Sequence, residues 1–414
     1  MDRKPSDIHR KRMGGMTRRR LLKTLTAFGF SASTAIVLTP GDVQAADSDQ
    51  VPISIDHSNT SIVMVDADWY DRLQETRDNF DAMKRDWLPP RGRRNSNEGN
   101  KNSGKSHGPK DMHNDVIGLY ISAGKGNDNP HIIVSIDQES DTKDETRGNI
   151  PEQRGESRIE IEERDSEKEL ALEHSNCNDK EVSNPDKIPG GVRISFAGRD
   201  NVGTLTSRVV DGDFNYNYSL ATAAHVLSRD ENECGSDLVG TDAYHYGNYI
   251  GSVVAVDHQL DMVIVHNSSS TDQPIPEVWH PADHSERWEP IEDTLTDDGV
   301  DYWINNDRQL FKYGQSSCYT NGKVHSRGNT ERPYVNNECA EFWYDCVRWG
   351  EYGSIEAGDS GSITFGAHPD RDTFLACNVN SWRDGSVSER EYSAGPAGFA
   401  WQDAHSYWWK DEAL

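Results

Sequence analysis

Apolar positions along the chain fall into three regimes. From Val63 to Trp87 they recur at Trp69, Leu73, Phe80, Met83 and Trp87, a helical stripe that Leu88-Pro-Pro90 brings to an end. Three runs follow, Val116–Ile121, His131–Ile136 and Arg158–Glu162, each bounded by polar turn residues and each readable as a strand. From Pro189 to the C-terminus, short β-branched runs alternate with Gly, Asn and Asp turns, a pattern that predicts an all-β domain. Two stretches lack apolar periodicity. Residues 91–112 are mostly Arg, Asn, Gly, Ser and Lys, residues 166–188 are acidic and polar, and both read as linkers. The chain therefore divides into 1–45, a helical segment 46–90, a linker 91–112, a small ordered unit 113–165, an acidic linker 166–188 and the all-β domain 189–414.

Composition changes this picture in one respect. With 70 acidic against 43 basic residues, the 414-residue chain carries a formal charge of −27. That charge would be repelled by nucleic acid and by anionic membranes, so neither is expected as a partner. The acidic residues are spread over most of the chain, and mean hydropathy is −0.83. Together these features fit the solvated surface of a protein from a high-salt habitat; an acidic secreted protein is the plainer alternative.

The first 45 residues read as an export signal. Thr17-Arg-Arg-Arg-Leu-Leu-Lys23 has the twin-arginine pattern, an apolar run from Leu25 to Leu38 follows, and Val43-Gln-Ala45 supplies small residues for cleavage. The apolar run is too short to span a bilayer as a helix. A secreted mature chain starting at Ala46, without stable membrane insertion, is expected.

The candidate chemistry centres on Gly358-Asp-Ser-Gly361. Glycines on both sides of Ser360 permit a tight turn, and convergent N–H groups of Gly358 and Ser360 would form an oxyanion hole. A serine nucleophile needs a general base and an orienting carboxylate. Both occur upstream: Leu220-Ala-Thr-Ala-Ala-His225 ends on a His, and Asp261 heads the β-branched run Met262–Val265. Each residue alone has an ordinary structural reading, as a satisfied histidine, a strand-start cap and a turn. Their joint occurrence in the order His225, Asp261, Ser360 favours catalysis.

In these three motifs the chain resembles the chymotrypsin (trypsin-like) serine peptidase family. The stretch Phe311–Val324, with Lys312-Tyr-Gly314 followed by Thr320-Asn-Gly322, is similar to a hairpin of its bacterial, streptogrisin-like members. The resemblance implies a chymotrypsin-like double antiparallel β-barrel, with His225 and Asp261 on the first barrel and Ser360 on the second. It also implies that 113–165 is a small α/β or β accessory unit, or a pro-region. Asp261 follows His225 by only 36 positions, which implies trimmed loops. By the same resemblance, Ser354 lies at the base of the specificity pocket, Ser381-Trp382-Arg383 forms one wall, and the segment ending at Gly398 forms the other. Lacking a carboxylate at Ser354, the pocket is expected to favour an apolar or acidic residue. Trp401 and Tyr407–Trp409 are expected in a terminal helix or turn packed on the second barrel.

Two departures stand out. The family usually has Gly where Ser362 stands, and it has a Cys after the active-site His where Val226 stands. Ser362 also breaks the Gly-x-Ser-x-Gly elbow of α/β-hydrolases, and the run Ile363-Thr-Phe365 reads as a strand where those enzymes need a helix. A Ser360, Asp384, His405 order is rejected on that ground. Six cysteines, at 177, 234, 318, 339, 346 and 377, allow three bridges in an exported chain. No His-Glu-x-x-His or zinc-knuckle spacing occurs, so neither a catalytic metal nor another cofactor is expected. The expected activity is that of an exported serine endopeptidase acting on protein or peptide. The alternatives are a catalytically silent binding module and a protease restricted to itself or one partner.

The export reading has a direct test. Replacing Arg18 and Arg19 by Lys should leave the chain inside the cell with its leader attached, whereas intact mass of the secreted wild-type protein should place its N-terminus at Ala46. Export of the double-Lys chain at the wild-type level would contradict the assignment.

Overall fold

A computed structural model of the chain describes residues 50–87, 115–126, 128–164, 187–198, 202–211, 219–227, 238–267, 273–280, 287–331, 342–350, 354–356, 358–385, 391–399 and 407–408. The export signal and the linker 91–112 lie outside the described residues. No helix among the described residues is long and apolar enough to cross a membrane.

The N-terminal region begins with a hairpin, β1 (Gln50–Ser54) and β2 (Ile62–Asp66), whose turn is shaped by Asp56. That carboxylate accepts the N–H groups of Thr60 and Ser61 and the Thr60 hydroxyl. Helix α1 (Ala67–Trp87) follows at once, capped by Asp66, whose Oδ1 accepts the Trp69 N–H at 2.7 Å. The predicted stripe is the buried face of this helix: Trp69, Leu73, Phe80 and Met83 are all in the core. Each such side chain is worth about 1.5–3 kcal/mol relative to exposure. Beneath the helix lie β3 (Val116–Ser122), β4 (His131–Asp137) and β6 (Ser157–Arg164), the three runs expected from sequence. The short helix α2 (Lys143–Asn149) and β5 (Gln153–Arg154) link β4 to β6.

Strand β7 (Lys187–Gly190) leads into an antiparallel sheet built from β8 (Arg193–Phe196), β9 (Val202–Thr204), β10 (Arg208–Asp211), β11 (Ser219–Thr222), β12 (Asp242–His245), β13 (Asn248–Asp257) and β14 (Met262–His266). One helical turn, α3 (Ala224–Leu227), follows β11. β14 lies between β11 and β13, and its two faces enter two cores, Met262 and Ile264 one and Val263 and Val265 the other, so its Met-Val-Ile-Val run is buried on both faces. Ile194, Phe196, Leu220, Val253, Val263 and Val265 are among the residues that fill this sheet's core.

The second sheet takes in β15 (Gln273–His280), β16 (Arg287–Thr294), β17 (Gln309–Gly314), β18 (Cys318–Glu331), β19 (Phe342–Trp349), β20 (Ile363–Ala367), β21 (Phe374–Val379), β22 (Trp382–Gly385) and β23 (Glu391–Pro396). Helix α4 (Asp297–Asn305) sits between β16 and β17, capped by Thr296, whose hydroxyl accepts the Gly299 N–H at 2.9 Å. The molecule is thus mostly β, as expected. What the linear pattern did not reveal is that the N-terminal strands are not a separate sheet. β3 pairs antiparallel with β18, Arg327 opposite Ile121 and Thr330 opposite Gly118, so the order β5-β6-β4-β3-β18-β17 is continuous. A single apolar core holds Leu73, Phe80 and Ile132 together with Ile304, Val347 and Phe365. A cavity lined by Val51, Ile53, Tyr70, Thr296 and Asp298 sits at this joint and has neither His225 nor Ser360 in its wall.

Two expectations need correction. Tyr407–Trp408 form a short strand, β24, that pairs with β10 of the first sheet rather than a helix or turn on the second. β10 has an open side after β11 has taken the other, and backbone pairing there satisfies the terminal strand's N–H and C=O groups. Three disulfides do not form either. Cys346 and Cys377 are buried thiols on β19 and β21, and Cys318 is disulfide-bonded. Burial pushes the Cys377 thiol far above its ordinary range, with a hydrogen bond from Thr364 opposing, so Cys377 is an unreactive core residue.

The joint between the β1–β2 turn and β16 holds a partly buried histidine and a buried aspartate with opposite pH responses. Burial lowers His57 to about 4 against the pull of Asp297 and Asp56. Burial raises Asp293 to about 6 even though its oxygens accept the Ser58 and Thr294 N–H groups at 2.8 Å. A histidine lowered in the fold contributes stability that is complete above pH 6.5 and lost as pH falls through 4. A carboxyl raised in the fold contributes stability that is complete below pH 3.8 and lost as pH rises through 6. Each gap of roughly two pH units corresponds to about 3 kcal/mol. The two effects oppose between pH 6.5 and 4, so Asp293→Asn should steepen the loss of stability on acidification and His57→Gln should flatten it. Urea unfolding at pH 4 and pH 7 measures both slopes; variants parallel to wild type would refute the assignment.

Candidate active site

His225 and Asp261 are brought together by two short pieces of chain. Asp257 accepts the N–H groups of Gln259 and Leu260 and closes a turn that delivers Asp261 to the start of β14 with φ of 43°. That left-handed backbone is one that Asp tolerates better than most residues. The Asp261 carbonyl then accepts the Ala224 N–H at 3.1 Å, docking the α3 turn onto it. Its carboxylate does the rest. Oδ1 accepts the His225 backbone N–H at 3.0 Å and Oδ2 lies 2.8 Å from His225 Nδ1. Asp261 is fully buried, while the imidazole stays partly exposed. A buried carboxylate on Nδ1 fixes the ring orientation and the tautomer with its proton there.

Ser360 sits on a turn of the second chain segment, held against the first sheet by Thr204. The Thr204 N–H donates to the Ser360 carbonyl at 2.8 Å, and its hydroxyl donates to the Gly358 carbonyl at 2.8 Å while accepting the Gln315 N–H at 3.0 Å. The Thr204 carbonyl in turn accepts the Thr222 hydroxyl, three residues before His225. One residue thereby ties the His225 segment to the Ser360 turn. The turn itself is closed by Asp359 N–H donating to Glu356 at 3.0 Å, with Gly358 at its third position and φ of 95°, as a type II turn requires. A Cβ at Gly361, where φ is 90°, would lie 2.0 Å from the Thr222 hydroxyl.

Asp359 anchors this turn from below. Its carboxylate receives the Lys312 ammonium at 2.5 Å, the Ser317 hydroxyl, and the N–H groups of Ser316, Ser317 and Glu356 at 2.9–3.1 Å. Both side chains of the ion pair are fully buried. Burial pulls Lys312 below its ordinary range and Asp359 opposes the shift. Glycine at 314 is forced by the approach, because a Cβ there would lie 2.2 Å from Asp359 Oδ1. The Lys312-Tyr-Gly314 motif therefore has a physical reason: a cation for the carboxylate and space for it two residues on.

Ser362, the departure from Gly, is also accounted for. Its hydroxyl and carbonyl both accept from Asn380 Nδ2, at 3.0 and 2.9 Å, and Asn380 Oδ1 accepts the Trp349 indole N–H at 2.8 Å. The buried hydroxyl is satisfied. Nothing local in the sequence marks Asn380 or Thr204 for these tasks, since each acts across more than fifteen positions.

The residues expected from the resemblance to line a pocket are placed as follows. Ser354 is buried and its carbonyl accepts the Thr320 hydroxyl at 2.8 Å. Ser381 is buried, with its N–H donating to Ala394, and Trp382 and Arg383 stand opposite Ala394 and Ser393 in the β22–β23 ladder. Gly398 is buried just past β23.

The anchor under the turn can be tested alone. Asp359→Asn should lower unfolding free energy by about 3–5 kcal/mol by leaving a buried ammonium without its counter-charge. Adding Lys312→Met should recover part of that loss in chemical denaturation. A single variant costing under about 1 kcal/mol would show that the pair is not the anchor.

No family model matches the sequence, and no curated protein matches it. Among solved structures the chain is similar to a Nocardiopsis protease, NAPase, at 15% identity and TM-score 0.38, over 53% of this chain and 97% of that one. It is similar to Thermobifida fusca protease A at 16% identity and TM-score 0.37, and to a Cellulomonas bogoriensis chymotrypsin at 13% and 0.37, each over 53% of this chain and 97% of the other.

Proposed function

We propose that the chain is an exported serine endopeptidase in which Ser360 is the nucleophile, His225 the general base and Asp261 the orienting carboxylate. The observation that supports this best is the double engagement of His225 by one buried carboxylate, through the ring Nδ1 at 2.8 Å and the backbone N–H at 3.0 Å. With Nδ1 so committed, the opposite ring nitrogen, Nε2, is the one available to take the Ser360 proton. Oγ attacks the scissile carbonyl carbon as that proton moves to Nε2. The resulting oxyanion is received by the N–H groups of Gly358 and Ser360, and the imidazolium returns the proton to the leaving amine. Water then repeats the sequence on the acyl-enzyme and frees the carboxylate product. No step calls for a metal or cofactor.

Substrate selection falls to Ser354, Ser381, Trp382, Arg383 and Gly398. Ser354 offers no carboxylate for a basic side chain, and the wall segment carries one basic residue, Arg383, in its sequence, which together favour an apolar or acidic residue before the cleaved bond. The leader and the acidic composition support export into a salty medium and repulsion from nucleic acid.

A fluorophosphonate probe tests the reading without a known substrate. Mature protein in molar salt should be labelled at one serine, and Ser360→Ala or His225→Ala should abolish labelling. Against any peptide substrate found, either change should cost roughly 10⁶-fold in kcat. Folded wild-type protein that takes no label would favour the silent binding module.

A further inference from the structure

The fate of residues 50–164 is written in how they meet the second sheet. β18 has β17 along part of its length and β19 along the rest; its face toward the N-terminus is completed by β3 over Arg327–Thr330. Without β3 these N–H and C=O groups would form an open edge. Gly328 is shaped to this neighbour, since a Cβ there would lie 2.1 Å from the Leu119 carbonyl oxygen.

Charge ties the same two regions at buried and partly buried positions. On one side of the joint, Arg77 of α1 reaches Asp301 of α4 at 2.5 Å and Asp298 at 2.6 Å, and Asp301 is shared with Arg327 of β18 at 2.8 Å. On the other, Arg348 of β19 donates to Glu162 of β6 at 2.8 Å and lies 4.4 Å over the Tyr120 ring. Arg348 is 1% exposed, and its Nη1 pairs with the Glu162 carboxylate. Burial would raise the Glu162 carboxyl, but Arg348 and Arg164 outweigh it and hold it below its usual range. Backbone bonds add to this: His57 N–H donates to Thr294, Thr296 N–H donates to Ile55, and the Thr296 hydroxyl donates to Ser54.

Arg348 also begins a row of cross-strand neighbours. It pairs with Ala394 on β23, and Ala394 pairs with Trp382 on β22, so Glu162 supports one end of a row that reaches the proposed pocket wall. Removal of residues 50–164 would uncover the core shared with Phe365 and Val347, open the β18 edge and take Glu162 away from Arg348.

We infer that residues 50–164 are a permanent lobe of the working protein, completing the second sheet beside β18 and β19, and not a pro-region that departs. This rests on the protease reading only in that a pro-region is the alternative fate; the lobe's attachment is independent of catalysis.

The test uses the full mature chain carrying Ser360→Ala, so that self-cleavage plays no part, with a recognition sequence for a specific protease inserted between Ser175 and Asn176. After cutting, the two fragments should co-elute on gel filtration in molar salt and unfold in one transition. Arg77→Ala with Glu162→Gln should lower that transition by about 5–10 °C. Aggregation of the C-terminal fragment on separation would support the same conclusion, since that fragment then needs the lobe. Fragments that separate while the C-terminal one stays folded would overturn it. So would a secreted wild-type protein that begins after Arg164 and lacks the lobe, or an unshifted transition in the double variant. Loss of probe labelling in wild-type protein would leave these readouts unchanged, so failure of the protease reading is separable.

Discussion

The site depends on one buried carboxylate, that of Asp359. Five donors converge on it, including a fully buried ammonium and three backbone N–H groups from two segments of chain. A carboxylate so satisfied tolerates the loss of water that would otherwise make it costly. Its position fixes the residue directly before Ser360. Thr204 then holds the carbonyls on either side of Asp359 from the first sheet. The turn is thus pinned from two directions, and the pinning needs no free chain terminus: the cation comes from within β17.

Asp261 plays a comparable part on the first sheet. The carbonyl and both carboxylate oxygens are engaged with the two residues Ala224 and His225, so one residue positions both the α3 turn and the imidazole. Its positive φ makes this compact arrangement possible. Backbone placement and ring orientation are therefore coupled, and a small shift of the turn would reach the histidine.

The chain has a large excess of acidic residues, yet its buried basic residues stand where segments far apart in sequence meet. Lys312 joins β17 to the Ser360 turn, Arg77 joins α1 to α4, Arg327 joins β18 to α4, and Arg348 joins β19 to β6. Ions in solution screen exposed charges over about 3 Å at molar salt, but they act far less on buried pairs. Placing these four cations inside, against chosen carboxylates, makes those joints less sensitive to ionic strength than pairs on the surface.

The sequence by itself determined the elements and the candidate chemistry. The stripe from Trp69 to Trp87 became α1, the runs at 116, 131 and 158 became strands, and the β-branched run after Asp261 became a central strand, because periodicity and β-branching act locally. The order His225, Asp261, Ser360 was legible for the same reason: each lies in a short, recognisable stretch. Only the tertiary structure decided what depends on distant partners. It set the pairing of β3 with β18, the docking of Tyr407–Trp408 on β10 and the thiol state of Cys346 and Cys377. It also gave Ser362 its place beside Asn380, eighteen positions away. A strand's edge and a buried polar atom carry no mark of their partner in the linear pattern, since the partner is chosen by which surfaces meet when the core closes.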